Sequence, residues 1–358
     1  MLTTAQSISL PECIRRLQPL LPDQAFAPCP RKLLYQAIHF LLIIGGYVVI
    51  RSTADWRVWI LCSLVVGHSI ACTGFFAHEL SHKTIVRNPR MLYMLEVLCW
   101  GLHLISPTVW RRVHNQTHHI YNNTHADPDR LFFKSEACTI IFWYSRIFHP
   151  NAESPRWNFV VFFHFLPYIF RNTIAAFYSN KTKPTLVPAK PAYTAEDRIR
   201  VGLELLAILF LQYGIFIFMG DSFARFFFAS PIALLITSSI VMSYIFTNHL
   251  LNPLSKKSDP FVSTTSVVVY RIFDRLHLNF SYHTEHHLFP GMNSDYYPIL
   301  SNLLTELYGD RYRRINFGDA WNRLWKIQIY AADVNFQQDS HGSQVVEEGK
   351  IGSYTARP

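Results

Sequence analysis

Four long apolar blocks constrain the fold of this 358-residue chain more than any other feature. Each block is about long enough to cross a hydrocarbon core of roughly 30 Å as an α-helix that rises about 1.5 Å per residue. Composition agrees, because half of the residues are hydrophobic and 16% are charged, whereas a soluble chain carries about a quarter charged residues. The sequence therefore predicts an all-α integral membrane protein, with spans over about residues 33–50, 56–77, 203–220 and 224–247.

Very short loops, residues 51–55 and 221–223, join the predicted spans in pairs. Two hairpins would place the long middle segment and both chain termini on one side of the membrane. Lys and Arg residues near the span ends are more numerous on that side, so the positive-inside rule predicts that it is cytoplasmic. Two further apolar stretches, Met91–Val109 and Trp157–Tyr178, contain polar residues and are predicted to be short or interfacial helices.

One membrane domain is predicted over residues 1–332, with a helical cap on the cytoplasmic side of the spans. A polar, flexible tail is expected over residues 333–358. The formal net charge is +9, but the basic residues are scattered beside the membrane segments, where they suit anionic headgroups. The sequence therefore predicts membrane lipids as partners and no nucleic acid.

Three histidine clusters, HELSH, HNQTHH and HTEHH, lie on the predicted cytoplasmic side, and one more histidine follows the fourth span. Each residue of an α-helix turns about 100°, so His78 and His82 share a face and can bind one metal. The same geometry places the three imidazoles of HTEHH in one arc. It stacks His118 over His114 and turns His119 away, so that the adjacent pair can serve two ions. The candidate metal ligands are His78, His82, His114, His118, His119, His249, His283, His286 and His287.

The number of these histidines points to two metal ions. A zinc site takes three or four protein ligands, whereas two ions with four or five nitrogen ligands each would use all nine. Imidazole binds iron, zinc, copper and nickel, so the ligand type alone does not name the metal. Polar neighbours are expected to orient the rings and fix their tautomers, and the candidates are Glu79, Asp127, Asp129, Asn248, Asn252, Asp274 and Glu285.

Other histidines are assigned different roles. His125 and His277 lie close to the clusters and could support the ligands or be ordinary loop residues. Isolated histidines in apolar segments are more often packed and hydrogen-bonded than metal-bound. This interpretation is applied to His39, His68, His103, His149 and His164.

The three clusters resemble the histidine boxes of the membrane fatty acid desaturase and hydroxylase superfamily. The resemblance runs from about Ala77 to Pro290, and its most specific part is YHTEHHLFP, Tyr282–Pro290, which is similar to the third box of acyl-lipid desaturases. His249 matches a further metal-binding histidine near the end of the fourth span. The resemblance implies that the nine histidines hold two iron ions.

The implied activity is that of an O2-dependent oxidoreductase that introduces a cis double bond into a fatty acyl chain. The resemblance implies O2 as co-substrate and an apolar tunnel for the acyl lipid. The sequence contains no HPGG haem-binding motif, so electrons are expected from a separate ferredoxin or cytochrome b5.

Two alternatives remain at this point. A lipid hydroxylase, or a carotenoid hydroxylase or ketolase, would use similar boxes within the same superfamily. HELSH also fits the HExxH pattern of zinc proteases, in which two histidines bind zinc and Glu79 is the general base. The protease reading leaves six clustered histidines unexplained and is the more remote alternative.

Overall fold

The structure is a computed structural model that describes residues 9–132, 139–177, 187–189, 191–309 and 311–327, and the backbone of two short strands at 337–338 and 344–345. The described residues are mostly helical. In chain order, the helices before the third span are α1 Leu10–Leu17, α2 Lys32–Ser52, α3 Trp56–Ser81, α4 Pro89–Leu102, α5 Pro107–Tyr121, α6 Thr139–Phe148 and α7 Phe165–Phe177. The later helices are α8 Ala195–Phe218, α9 Phe223–Leu250, α10 Pro260–Ser263, α11 Arg271–Leu276, α12 His283–Leu288, α13 Tyr297–Tyr308 and α14 Phe317–Leu324.

Four of these helices, α2, α3, α8 and α9, are long and apolar enough to cross a membrane, as the sequence predicts. Their ends differ from the predicted ends. Helix α8 begins eight residues before the predicted start, because Thr194 and Asp197 form a capping box at its N-terminus. Helices α3 and α9 each continue past the apolar block, so that His78 and His249 lie within their last turns.

A close contact aligns α3 with α9. A Cβ atom at Gly67 would lie 2.6 Å from the carbonyl oxygen of Ala233, so only glycine permits this approach. The Thr237 hydroxyl donates a hydrogen bond to the Gly67 carbonyl at 2.8 Å. The two helices are held together at this depth, and His78 and His249 near their ends line the same cavity.

The stretch Met91–Val109 forms most of α4 and the first turn of α5, which are bent by 98° relative to each other. A buried carboxylate from the third span holds this corner. Glu204 on α8 accepts hydrogen bonds from the Thr108 backbone and hydroxyl, at 3.1 and 2.8 Å, and from Tyr93 at 3.0 Å. This arrangement directs α5 and its three histidines away from α4.

Short strands modify the all-α prediction. Strand β1, Ser266–Val268, pairs in parallel with β2, Arg314–Asn316, and β3, Gln337–Gln338, pairs antiparallel with β4, Gln344–Val345. Strands of two or three residues leave no periodic pattern in a sequence, so they were not predicted. The Val267 N–H also donates a hydrogen bond to the Ser281 carbonyl at 2.9 Å. This bond connects β1 to the segment immediately before α12. Apart from β3 and β4, the predicted tail lies outside the described residues.

Candidate metal centre

The first histidine box lies at the end of α3. His78 is in the last helical turn and His82 is the residue that caps the helix. Their ring centroids are 5.0 Å apart, as expected for residues one α-helical turn from each other. The two imidazoles therefore face the same region, as the spacing predicts.

The second box lies on α5, which is π-helical over Arg111–His118. A π-helix has i to i+5 hydrogen bonds, so residues five apart share a face more closely than on an α-helix. His114 and His119 consequently approach each other, with 3.1 Å between their Nε2 atoms. The His118 ring stacks on that of His114, as the spacing predicts, with ring centroids 5.3 Å apart, but its ligand nitrogen lies near those of His249 and His287. The α-helical geometry assumed from the sequence is wrong for this segment.

The remaining ligand candidates come from α9 and α12. His249 lies in a second π-helical segment, Phe246–Leu250, at the end of the fourth span. His283, His286 and His287 occupy the short α12 and are all buried. Nε2 of His283 lies 2.6 Å from Nε2 of His249, so the third box meets the fourth span directly.

The nine histidines lie in two adjacent sets. The five-histidine set has one ring nitrogen from each member within 4.8 Å of all the others, and it comprises His78, His82, His114, His119 and His286. In the four-histidine set, His118, His249 and His287 meet the same limit, and His283 joins them through its contact with His249. Two helices contribute neighbouring residues to both sets.

The expectation that all three histidines of HTEHH face one direction is wrong. His286 belongs to the five-histidine set, with its Nε2 3.0 Å from Nε2 of His119, whereas His283 and His287 belong to the four-histidine set. The reason is that adjacent residues of a helix point about 100° apart, and α12 contacts both sets. His118 and His119 belong to different sets, which is the arrangement expected if an adjacent His-His pair serves two ions.

The chemistry of these rings fits transition-metal ions. Burial lowers the pKa of His82 and of His283 to about 3. Burial together with neighbouring imidazoles lowers the pKa of His286 and His287 well below the usual value. These rings are neutral near pH 7 and carry a free lone pair. Among the described residues, Nε2 of His82 and of His287 is buried without a hydrogen-bond partner, as expected for metal-ligand atoms.

Three side chains orient rings of the two sets. The Asp127 carboxylate accepts from Nδ1 of His118 at 3.0 Å, which leaves the opposite nitrogen free for a metal. Tyr297 lies 3.0 Å from Nδ1 of His286, and the Asn122 amide lies 3.1 Å from Nδ1 of His287. Only Asp127 was predicted from the sequence. Tyr297 and Asn122 carry no sequence signal, because they reach the rings through tertiary contacts.

Other predicted supporting residues act through the backbone or lie further away. The Asn252 amide donates to the His249 carbonyl at 3.2 Å, and Asp129 is 4.0 Å from Nδ1 of His118. Glu285 accepts from Ser266 at 2.5 Å and turns away from both sets. Asp274 accepts from Ser281. Among the described residues, the Asn248 side chain has no hydrogen-bond partner.

Glu79 also faces away from the histidine sets. Its carboxylate accepts from Lys32 Nζ at 2.9 Å and from the Thr84 hydroxyl at 3.2 Å, and Lys32 also donates to Ser294 at 2.8 Å. The ion pair is buried, with both side chains 5% exposed. It links α2, α3 and the segment before α13, so Glu79 is a structural anchor and does not have the geometry of a general base.

Replacing Lys32 with methionine is expected to lower the free energy of unfolding by about 3 kcal/mol, because it leaves the Glu79 carboxylate buried without its partner. The adjacent Arg31→Ala variant is the matched control. It breaks the pair with Asp295, but Arg31 is 76% exposed, and exposed pairs contribute little. Unfolding in detergent micelles measures both effects, and equal stability of the two variants would contradict the prediction.

The two remaining candidates lie outside both sets. His125 is exposed in the loop after α5. His277 follows α11 and contacts Tyr244 and His68, with 2.8 Å between its Nδ1 and the Tyr244 oxygen and 3.4 Å between its Nε2 and that of His68. Neither is placed as a ligand of the nine-histidine centre.

A largely apolar cavity borders the histidine sets. It reaches His78 and His114 of the five-histidine set and His118, His249 and His283 of the four-histidine set. Its walls include Phe75, Trp100, Val241, Met242, Ile245 and Phe246. Polar side chains, Asp129, Tyr168 and Arg171, line another part of it. The cavity can therefore hold an apolar chain beside the histidines of both sets.

Comparison with known proteins agrees with this arrangement. No curated protein shows a significant sequence match to the chain. A model of the fatty acid desaturase family matches residues 54–318, which is more than half of the chain and includes all nine histidines. Membership of this family implies an oxidoreductase that acts on lipid in a membrane. The chain belongs to the fatty acid desaturase family.

Proposed function

We propose that the protein is an O2-dependent desaturase that introduces a cis double bond into a fatty acyl chain. The observation that carries the proposal is the apolar cavity, because it borders histidines of both sets. Two iron ions would be held by the five-histidine and four-histidine sets. Imidazole is a suitable ligand for iron, and the family is the one in which such a centre is expected.

The protein's own contribution is to position the substrate. All methylenes of an acyl chain are chemically alike, so the walls of the cavity must select the pair that reacts. When bound, the two irons supply reductive activation of O2 and the removal of two hydrogens. Asp127 and Tyr297 hold the His118 and His286 rings in place, and the apolar walls exclude water from the reacting carbons.

The proposed setting is a single membrane domain over residues 1–332. The spans α2 with α3 and α8 with α9 would form two hairpins, and the histidine sets and both termini would lie on the cytoplasmic side. Electrons would come from a separate ferredoxin or cytochrome b5.

Hydroxylation and desaturation differ in the product, so lipid analysis tests the proposal. Cells that express the chain are fed a deuterated saturated fatty acid, and total fatty acids and pigments are profiled by mass spectrometry. A new alkene that lacks two deuterium atoms is the expected result. A hydroxylated chain or an oxidised carotenoid in place of the alkene would assign a sister reaction of the same family.

Enlarging a side chain deep in the cavity is expected to shorten the acyl chain that the enzyme accepts. Met242 is buried on α9, seven residues before His249, and is therefore about 10 Å deeper along the helix. A Met242→Trp variant should convert its longest substrates about tenfold less well, since each excluded methylene costs binding energy, while shorter chains remain substrates. Conversion of a series of chain lengths measures the shift.

The matched control is Leu209→Trp on α8. Leu209 is 64% exposed in this structure and does not border the cavity, so the same enlargement should leave the chain-length profile unchanged. An unchanged profile for Met242→Trp would mean that the acyl chain does not extend past this residue.

A further inference from the structure

A third cluster of metal-ligating side chains lies apart from the nine histidines. His68 and Cys72 are one turn apart on α3, and His277 follows α11. One ligand atom from each lies within 4.8 Å of the other two. Cys72 is fully buried and His277 is 4% exposed. The sequence predicts a packed residue at His68 and either a supporting or a loop residue at His277, because these two residues are brought together only by the fold.

The distances within this cluster fit one small metal ion. Nε2 of His68 is 3.4 Å from Nε2 of His277 and 4.0 Å from Sγ of Cys72. Around a tetrahedral zinc ion, with bonds of about 2.0 Å to nitrogen and about 2.3 Å to sulfur, neighbouring ligand atoms lie about 3.3 to 3.6 Å apart. Sγ of Cys72 lies within 4.8 Å of the ligand nitrogen of His277, so a shift of Sγ by up to about 1 Å would complete such a site.

Hydrogen bonds to His277 and Cys72 are compatible with metal binding by this cluster. The Tyr244 oxygen lies 2.8 Å from Nδ1 of His277, and when it accepts the Nδ1 proton it leaves Nε2 free as a ligand. The Cys72 thiol donates to the Leu276 carbonyl at 3.3 Å, and metal binding would release this proton. A groove lined by Tyr244, Phe273 and His277 lies beside the cluster.

We propose that His68, Cys72 and His277 form a third metal site for a thiophilic d10 ion of the Zn²⁺ type. A thiolate with two imidazoles favours this class of ion over iron, and three protein ligands leave a fourth position for water. This site is distinct from the nine-histidine centre, whose candidate ligands include no cysteine. The inference does not rest on the proposed desaturase activity.

The ion would fasten the segment that carries the third histidine box to α3. His277 is six residues before His283. The chain turns at Leu278 and Asn279, which have φ values of 50° and 58°. Asparagine tolerates this left-handed conformation, but it is unfavourable for Leu278 and persists there where surrounding contacts impose it. A bond from His277 to α3 would help to impose it and so would position α12.

Metal analysis of the purified full-length protein tests the site. Iron, zinc and copper per chain are measured by plasma mass spectrometry in the wild type, in Cys72→Ser and in the control Cys62→Ser. Cys62 lies on the same helix but outside the cluster. We expect about one zinc or copper ion per wild-type chain in addition to iron, its loss in Cys72→Ser, and its retention in Cys62→Ser.

Cobalt provides a readout that does not depend on the stability of the variants. Co²⁺ added to zinc-depleted wild-type protein should give a thiolate-to-metal charge-transfer absorption, which the nitrogen ligands of the nine-histidine centre cannot produce. His277→Gln should weaken this absorption, whereas His125→Gln should not. Wild-type protein with no zinc or copper and no thiolate absorption would overturn the proposal, as would equal metal content in Cys72→Ser and the wild type.

Discussion

A His286→Ala variant is expected to form no detectable double bond in cells where the wild type does. His286 is buried, its Nε2 lies 3.0 Å from that of His119, and its Nδ1 lies 3.0 Å from the Tyr297 oxygen. Alanine removes one of five donors and leaves Tyr297 without this partner. Mutation of a residue that only orients a metal ligand typically lowers metal affinity or activity by about 10- to 100-fold. Loss of a ligand itself should therefore reduce product by at least about 100-fold.

Two measurements check this result. Fatty acid profiles by mass spectrometry report the product, and iron per purified chain reports occupancy, which should fall by one ion. His125→Ala is the matched control, because His125 is exposed and lies outside both sets. It should keep product and iron at wild-type levels. Wild-type product from His286→Ala would remove this residue from the centre and would undermine the proposed five-histidine set.

An Asp127→Asn variant is expected to lose about 10- to 100-fold in activity or in iron affinity at the four-histidine set. Asp127 is 1% exposed. Its carboxylate accepts from Nδ1 of His118 at 3.0 Å and from the backbone N–H groups of Asn123 and Asp129 at 2.8 and 2.9 Å. An amide has one acceptor in place of two charged oxygens, so it cannot satisfy these three donors and keep the ring in position.

The matched control for this variant is Asp129→Asn. Asp129 is in the same loop, but its carboxylate is 4.0 Å from Nδ1 of His118, beyond hydrogen-bond distance. Iron titrations of both proteins should show weakened binding of one ion in Asp127→Asn and a smaller change in Asp129→Asn. If Asp127→Asn bound two ions as tightly as the wild type, Asp127 would not be the residue that orients His118.

The four spans and the box histidines could be predicted because their signals are local. The backbone polar groups of an apolar block must be paired within a helix in a membrane, and a sufficiently long helix lies at each predicted block. The pairing of His78 with His82 follows from one α-helical turn. The metal ions themselves, the side of the membrane and the reaction remain proposals.

The distribution of the nine histidines between two sets could not be predicted, because it depends on backbone geometry and packing. The His118 ring stacks on His114, as on an α-helix, but the π-helical segment of α5 also brings Nε2 of His119 to 3.1 Å from Nε2 of His114. Helix α12 divides its three histidines because it contacts both sets. Helix type and helix orientation are set by contacts with the rest of the chain, and spacing in the sequence does not report them.

The sequence by itself determined that this chain has four long apolar helices, eight histidines on three box motifs of one family, and His249 at the end of the fourth span. The tertiary structure decided which residues support them. Tyr297, Asn122 and the buried pair of Lys32 with Glu79 join segments far apart in the chain, and so does the cluster of His68, Cys72 and His277. Apolar length and local spacing are properties of consecutive residues, but these contacts exist only after the helices pack, so no local pattern encodes them.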